Sequence, residues 1–275
     1  VRRRRSVEGR HARGGTLARD EIPLGDELAE RLDALLVAML RGRLPRIDRR
    51  EFALLLALAA SGLAAFNLLL LAAVERADAG SVGVVVGSVP IVLAIAGPLA
   101  DGRRPDPRLV LAALVVAAGA AVVQGLGGSM SAAALLLALG ALACEAAFSL
   151  LAAPLLPRLG ALAVSAWACV LAVPLLTVYA LFTDGLAVPT GGEAAALAYL
   201  AVVVTALAFV WWYTAVHRLG AERAGLFSGV LPVSALLAAA ALGSSTLTLS
   251  RFAGVLAVAL GITAGLALAR PRAQV

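Results

Sequence analysis

The chain has 275 residues, of which 61% are apolar and 15% charged, with a formal net charge of +6. Apolar runs near 20 residues recur along it, each matching the roughly 30 Å hydrocarbon core of a bilayer, which excludes a soluble globular domain. All 23 basic residues are arginine, and most lie ahead of the first long apolar run or in short loops; that placement excludes a basic face for nucleic acid and fits topology signals instead.

The first 51 residues form a basic segment. "VRRRRSVEGRHARGGTLARDEIPLGDE" is polar and has no apolar core, so it is not a signal peptide. Leu28, Leu32, Leu35, Leu36, Met39 and Leu40 then make a helical apolar stripe. It reads either as an amphipathic helix lying in the interface or as the tail of a partial transmembrane helix. The chain opens on Val, which raises the expectation of an alternative start codon or a fragment.

Eight spans follow, at about 52–74, 79–100, 108–126, 130–153, 160–183, 194–216, 223–243 and 251–269. Turn signals such as "DGRRPDPR" and "DGLAVPTGGE" separate them. The expected fold is an all-α polytopic membrane protein. With the N-terminus cytoplasmic, 21 arginines fall on inside segments and only Arg76 and Arg251 outside. This positive-inside bias predicts cytoplasmic N- and C-termini, in a cytoplasmic membrane.

The chain also repeats itself. "AVERADAGSVGVVVGSVP" (73–90) aligns without gaps to "AVHRLGAERAGLFSGVLP" (215–232), with seven of eighteen positions identical. Gly83, Gly87 and Pro90 pair with Gly225, Gly229 and Pro232, each 142 positions on. The division is then a first repeat over 52–126, a second over 130–269 and a tail over 270–275. An odd number of spans separates the copies, so they cross the membrane in opposite directions. Inverted repeats of this kind mark secondary transporters, whose halves alternate around a central site. One Gly-x3-Gly means close helix packing. Two matched copies, each followed by a proline that frees a carbonyl, also read as a pair of hinges.

Several pieces together resemble the EamA-type branch of the drug/metabolite transporter superfamily, over about Leu35 to Leu268. They are "LRGRLPRIDRREF" before a span, "SVPIVLAIAGPL" and "LPVSALLAAAALG" in the paired helices, "WWYTAVHRLGAERAG" and "GVLAVALGITAG". The resemblance implies ten helices in two inverted five-helix repeats, moving small metabolites or drugs, often outward. Against that pattern the first helix is not visible, and only the end of the second falls near Asp33–Leu40.

Candidate site chemistry is sparse. Glu145 is the one acidic residue near the middle of a span, and Ser149 lies one turn on. It reads as a ligand for a cationic substrate or a proton carrier, or as a protonated structural side chain. Asn67 can hydrogen-bond substrate or a neighbouring helix. Trp211, Trp212 and Tyr213 suit an interfacial aromatic belt or a cavity wall, and Trp167 could line the same cavity. Gln124 and His217 read as interfacial, and Cys144 and Cys169 as buried thiols. With no lysine there is no Walker A motif, and the two histidines support neither a zinc pattern nor a nucleophile–base pair. No cofactor and no enzyme activity are expected. The expected function is secondary-active transport, in the export direction, of a small molecule across the lipid bilayer, with a proton or another ion as coupling partner. The alternative is a truncated, transport-inactive membrane protein acting as a scaffold or subunit, or without function.

Overall fold

In hydrocarbon a chain has no water to satisfy its peptide groups, so an apolar run must close its own hydrogen bonds. A computed structural model describes residues 45–125, 130–183, 189–243 and 248–268, and every apolar run among them is helical. The helices are α1 Arg49–Val74, α2 Ala79–Ala100, α3 Pro107–Gln124, α4 Ala132–Ala152, α5 Leu156–Phe182, α6 Gly191–Leu219, α7 Ala221–Ala241 and α8 Leu249–Leu268. All eight are long and apolar enough to cross a membrane. The expectations for residues 1–44 and for the tail after residue 268, including the leucine stripe, lie outside the described residues.

Polar residues set the helix starts. Asp48 and Glu51 close a capping box at α1, with bonds of 2.8 and 2.9 Å, and Thr190 with Glu193 does the same at α6. Asp78, Asp106 and Ser131 cap α2, α3 and α4, each accepting from a backbone N–H that the first turn leaves open. The spans read from sequence match these helices to within a few residues. At α5 the difference has a local cause: Gly160 adopts φ 76°, so the stretch from Leu156 is a separate turn and regular helix resumes beyond the glycine.

The helices are not regular throughout. Ala59–Ala65 in α1 and Leu200–Leu207 in α6 are wound as π-helix. The two stretches overlap when shifted by the same 142 positions as the glycine motif. In α2 a turn at Gly87–Ser88 interrupts the helix just ahead of Pro90. In α7 the matching Gly225–Gly229 is wound as 3-10 helix ahead of Pro232. Serine hydroxyls take up nearby carbonyls: Ser61 donates to the Ala57 oxygen at 2.8 Å, Ser88 to Val85 at 2.6 Å and Ser228 to Gly225 at 2.9 Å.

Helices α3 and α8 meet backbone to backbone. A Cβ placed on Gly254 would lie 2.8 Å from the Gly119 oxygen, and one on Gly261 would lie 3.0 Å from the Ala112 oxygen. Small residues allow this approach, and dispersion between the helices then supplies the attraction that lipid cannot. A second core gathers Leu55, Leu58, Leu93, Leu156 and Tyr213 from α1, α2, α5 and α6, with Leu155 from the turn ahead of α5. Gly254→Ala is expected to destabilise the protein by about 1–3 kcal/mol, the usual cost of overpacking. Gly192→Ala, at a position with open space around it, is expected to leave the melting temperature in detergent unchanged. Equal melting temperatures for both variants would contradict the close seam.

Candidate functional site

Three residues in the second half of α4 point its chemistry at two other helices. Glu145, Phe148 and Ser149 are three and four positions apart, so they share one helical face. Phe148 stacks against Phe209 and Tyr213 of α6, with ring centroids 4.8 and 4.9 Å away. On its other side it fills the notch of Gly62, in the π-wound part of α1, where an added Cβ would lie 2.2 Å from the Phe148 ring. The ring therefore lies between α1 and α6. Ser149 is buried and its oxygen accepts from the Trp212 indole N–H at 3.0 Å.

Three buried polar atoms near this stack have no hydrogen-bond partner among the described residues: Glu145 Oε2, Trp167 Nε1 and Tyr213 Oη. One is a carboxylate oxygen and two carry N–H or O–H donors, so the set can both accept and donate. Tyr213 is fully buried, and both Tyr213 and Trp167 belong to or pack against the core that holds Phe148. A native core seldom leaves such atoms unpaired without a reason. Cys144 and Cys169 are free and partly buried. Among the described residues no three His, Cys, Asp or Glu side chains come together as a metal site.

The remaining residues singled out in the sequence separate. Trp211 is 59% exposed and faces away from the stack, whereas its neighbours Trp212 and Tyr213 enter it. Asn67 is exposed and its amide N–H donates to the Leu63 oxygen of its own helix at 2.7 Å. His217 is exposed at the end of α6. The paired glycines are contact points. The Gln124 amide occupies the notch of Gly83 and Gly87, and Leu93 and Val116 occupy those of Gly225 and Gly229. Phe148, Phe209, Trp212 and Gly62 complete the arrangement. The one sequence signal for Phe148 was its position three residues after Glu145. Gly62 and Phe209 had none, since a glycine and a phenylalanine in apolar helices are ordinary.

These helices and their breaks define a class of membrane protein, and comparison with known proteins gives its family. The EamA-like transporter family matches residues 34–124 and 132–265, more than half of the chain. The chain belongs to that family, and it is an integral membrane protein of the transporter class. It is 26% identical over 227 residues to the uncharacterized transporter YetK of Bacillus subtilis (strain 168), covering 79% of this chain and 69% of YetK. A crystal structure of a protein superposes with a TM-score of 0.70 at 20% identity, covering 86% of this chain and 83% of its own. At that identity the likeness speaks for the fold alone.

Tyr213→Phe removes a buried hydroxyl that has no hydrogen-bond partner among the described residues. Because a buried unpaired polar group costs about 1–3 kcal/mol, the variant is expected to be at least as stable as the parent and up to that much more stable. A clear fall in the melting temperature would mean that the hydroxyl is bonded after all.

Proposed function

We propose that the protein is a secondary-active transporter that exports a small molecule across the cytoplasmic membrane, coupled to a proton or another ion at Glu145. The single observation that carries this reading is the Glu145 carboxylate, set in the middle of α4 with one oxygen buried and unpartnered. In a membrane interior such a group needs a proton, a cation or water in contact with it. Exchange between these is the chemistry of a coupled transporter. Ser149, Trp212, Tyr213 and Trp167 supply the neighbouring hydrogen-bonding and aromatic surface. Asn67 and Trp211, both exposed, join that surface only in a different arrangement of the helices.

Alternating access needs two halves that move about a common site. The first half runs over 52–126 and the second over 130–269, as inverted copies. α2 is the second crossing and α7 the seventh, so an odd number of crossings reverses one against the other. Each carries its break at the matched Gly–Gly–Pro segment, and each break is a site of close packing. A helix already interrupted there bends at little extra cost, because the hydrogen bond that Pro removes is already absent. The matched π-turns of α1 and α6 give the halves a second pair of adjustable points.

Purified protein in liposomes under an imposed proton gradient tests this reading. Across a panel of amines, amino acids and drug-like compounds, at least one solute is expected to move faster than in empty liposomes. Glu145→Gln is expected to abolish the gradient-driven part while the protein still inserts. Full gradient-driven flux in Glu145→Gln would remove Glu145 from the coupling role, and flux equal to that of empty liposomes for every compound would count against coupled transport of these classes.

A further inference from the structure

Two carboxylates lie buried in the first turns of helices, Glu51 in α1 and Glu222 in α7. Each is bound by an arginine from the other half of the repeat. Arg158, at the start of α5, directs Nε and Nη2 at the two oxygens of Glu51, and Nη2 also donates to the Arg46 carbonyl at 3.2 Å. Arg103, in the loop after α2, donates through Nη2 to Glu222 Oε1 at 2.9 Å and to Asp101 Oδ2 at 2.8 Å. The hydrogen bond that Arg103 donates to Asp101, together with that to the Glu222 carboxylate, raises Arg103 above its ordinary range, outweighing the effect of burial.

The position of these pairs follows from the crossings. The start of α1, the end of α2, the start of α5 and the start of α7 are separated by even numbers of spans, so all four side chains lie on one membrane face. That is also the face where the arginine count is highest. Just beneath it Leu155, Leu156, Ala221 and Ala224 are almost fully buried. The Gly97 backbone of α2 sits against Glu222 there, with room for a Cβ only 3.3 Å from the Glu222 nitrogen. At the other ends of α5, α6 and α7 large apolar side chains such as Phe182, Tyr199 and Leu242 are exposed.

We propose that the Glu51–Arg158 and Glu222–Arg103 pairs are a double latch that holds this face of the transporter shut, and that both open when the halves pivot. The inference rests on the alternating-access reading above. A fully buried ion pair would be a permanent lock, because separating it strands a charge away from water. Here the carboxylate side chains are 11% and 7% exposed, but their arginines are 54% and 44% exposed. Each arginine is already half hydrated and each carboxylate is at a helix end. Opening therefore brings water to both partners, and rehydration offsets the lost attraction. Bidentate geometry at Glu51 gives the closed state a defined register rather than a loose attraction.

Distance measurement between spin labels tests the latch without any substrate. Labels go on Arg104→Cys, in the loop after α2, and Arg218→Cys, at the end of α6, both exposed, with Cys144 and Cys169 changed to Ala. In lipid nanodiscs this parent is expected to give one dominant short distance. Glu51→Gln with Glu222→Gln, which keeps the hydrogen-bonding shape but removes both charges, is expected to move at least half of the population to a longer distance. Arg103→Lys with Arg158→Lys keeps the charges but not the two-pronged contact at Glu51, and is expected to keep the short distance as the main population with a broader spread. A shift as large as that of the glutamine variant would overturn the charge-based latch. An unchanged distribution in the folded glutamine variant overturns the latch, as does a lower melting temperature with no change in distance, which is what a purely structural staple would give. If the glutamine variant does not fold, Arg103→Gln, in a loop, is measured by the same criterion. Because no transport is measured, failure of the latch and failure of the transport reading are separately visible.

Discussion

Every backbone N–H and C=O within the hydrocarbon has to find a partner inside the protein, and this requirement shapes everything else in the chain. It makes the eight apolar runs helical whatever their local propensity, including valine-rich stretches such as "SVGVVVGSV" that would suit a strand in water. It also restricts where a helix can be irregular. The breaks in α1, α2 and α7 each have a serine hydroxyl bonded to a nearby carbonyl, and those in α2 and α7 also have side chains from another helix seated against glycine. In these three helices other groups cover the irregular backbone, whereas the π-wound Leu200–Leu207 of α6 has no buried residue.

That covering links packing to motion. Gly83 and Gly87 are filled by the Gln124 amide, and Gly225 and Gly229 by Leu93 and Val116. A close-packing motif and a hinge are usually set against each other, yet the proposed hinges lie at points of close packing. Tight seating of a neighbour fixes the position of the break, and the missing helical bond at Pro90 or Pro232 makes that position the softest point of its span. The Phe148 ring does something similar between α1 and α6. It rests in the Gly62 notch of a π-turn on one side and on the Phe209 and Tyr213 rings on the other. Glu145 is one helical turn from that ring, so a shift of α1 against α6 would change the surroundings of the carboxylate.

Hydropathy carries the helices because the bilayer has a fixed thickness, and the spans read from sequence differ from the observed ones by a few residues. The exception at α5 is instructive: an apolar pattern cannot register a left-handed glycine, and Gly160 has one. The proposed repeat was legible in sequence over 73–90 and 215–232, where seven of eighteen positions match, among them the two glycines and the proline. The paired π-turns were not, because "AASGLAA" and "LAVVVTAL" have little in common and π-winding depends on how a helix packs. At the site, Glu145 stood out because a mid-span carboxylate is costly and hence rare. Its neighbourhood did not stand out. Of three adjacent aromatics, Trp211 faces outward while Trp212 and Tyr213 turn inward, and only the rotation of α6 against α4 decides which.

The central claim is that two copies of one helical unit cross the membrane in opposite directions and pivot about their matched breaks. Arg76 and Arg218 occupy the same place in the two copies and both are exposed. The most direct measurement is labelling of Arg76→Cys and Arg218→Cys, one at a time, with a membrane-impermeant thiol reagent in intact cells and in inverted membrane vesicles. With the termini cytoplasmic, the account predicts that Cys at 76 reacts in cells and Cys at 218 only in inverted vesicles. Labelling of both positions from the same side would contradict it.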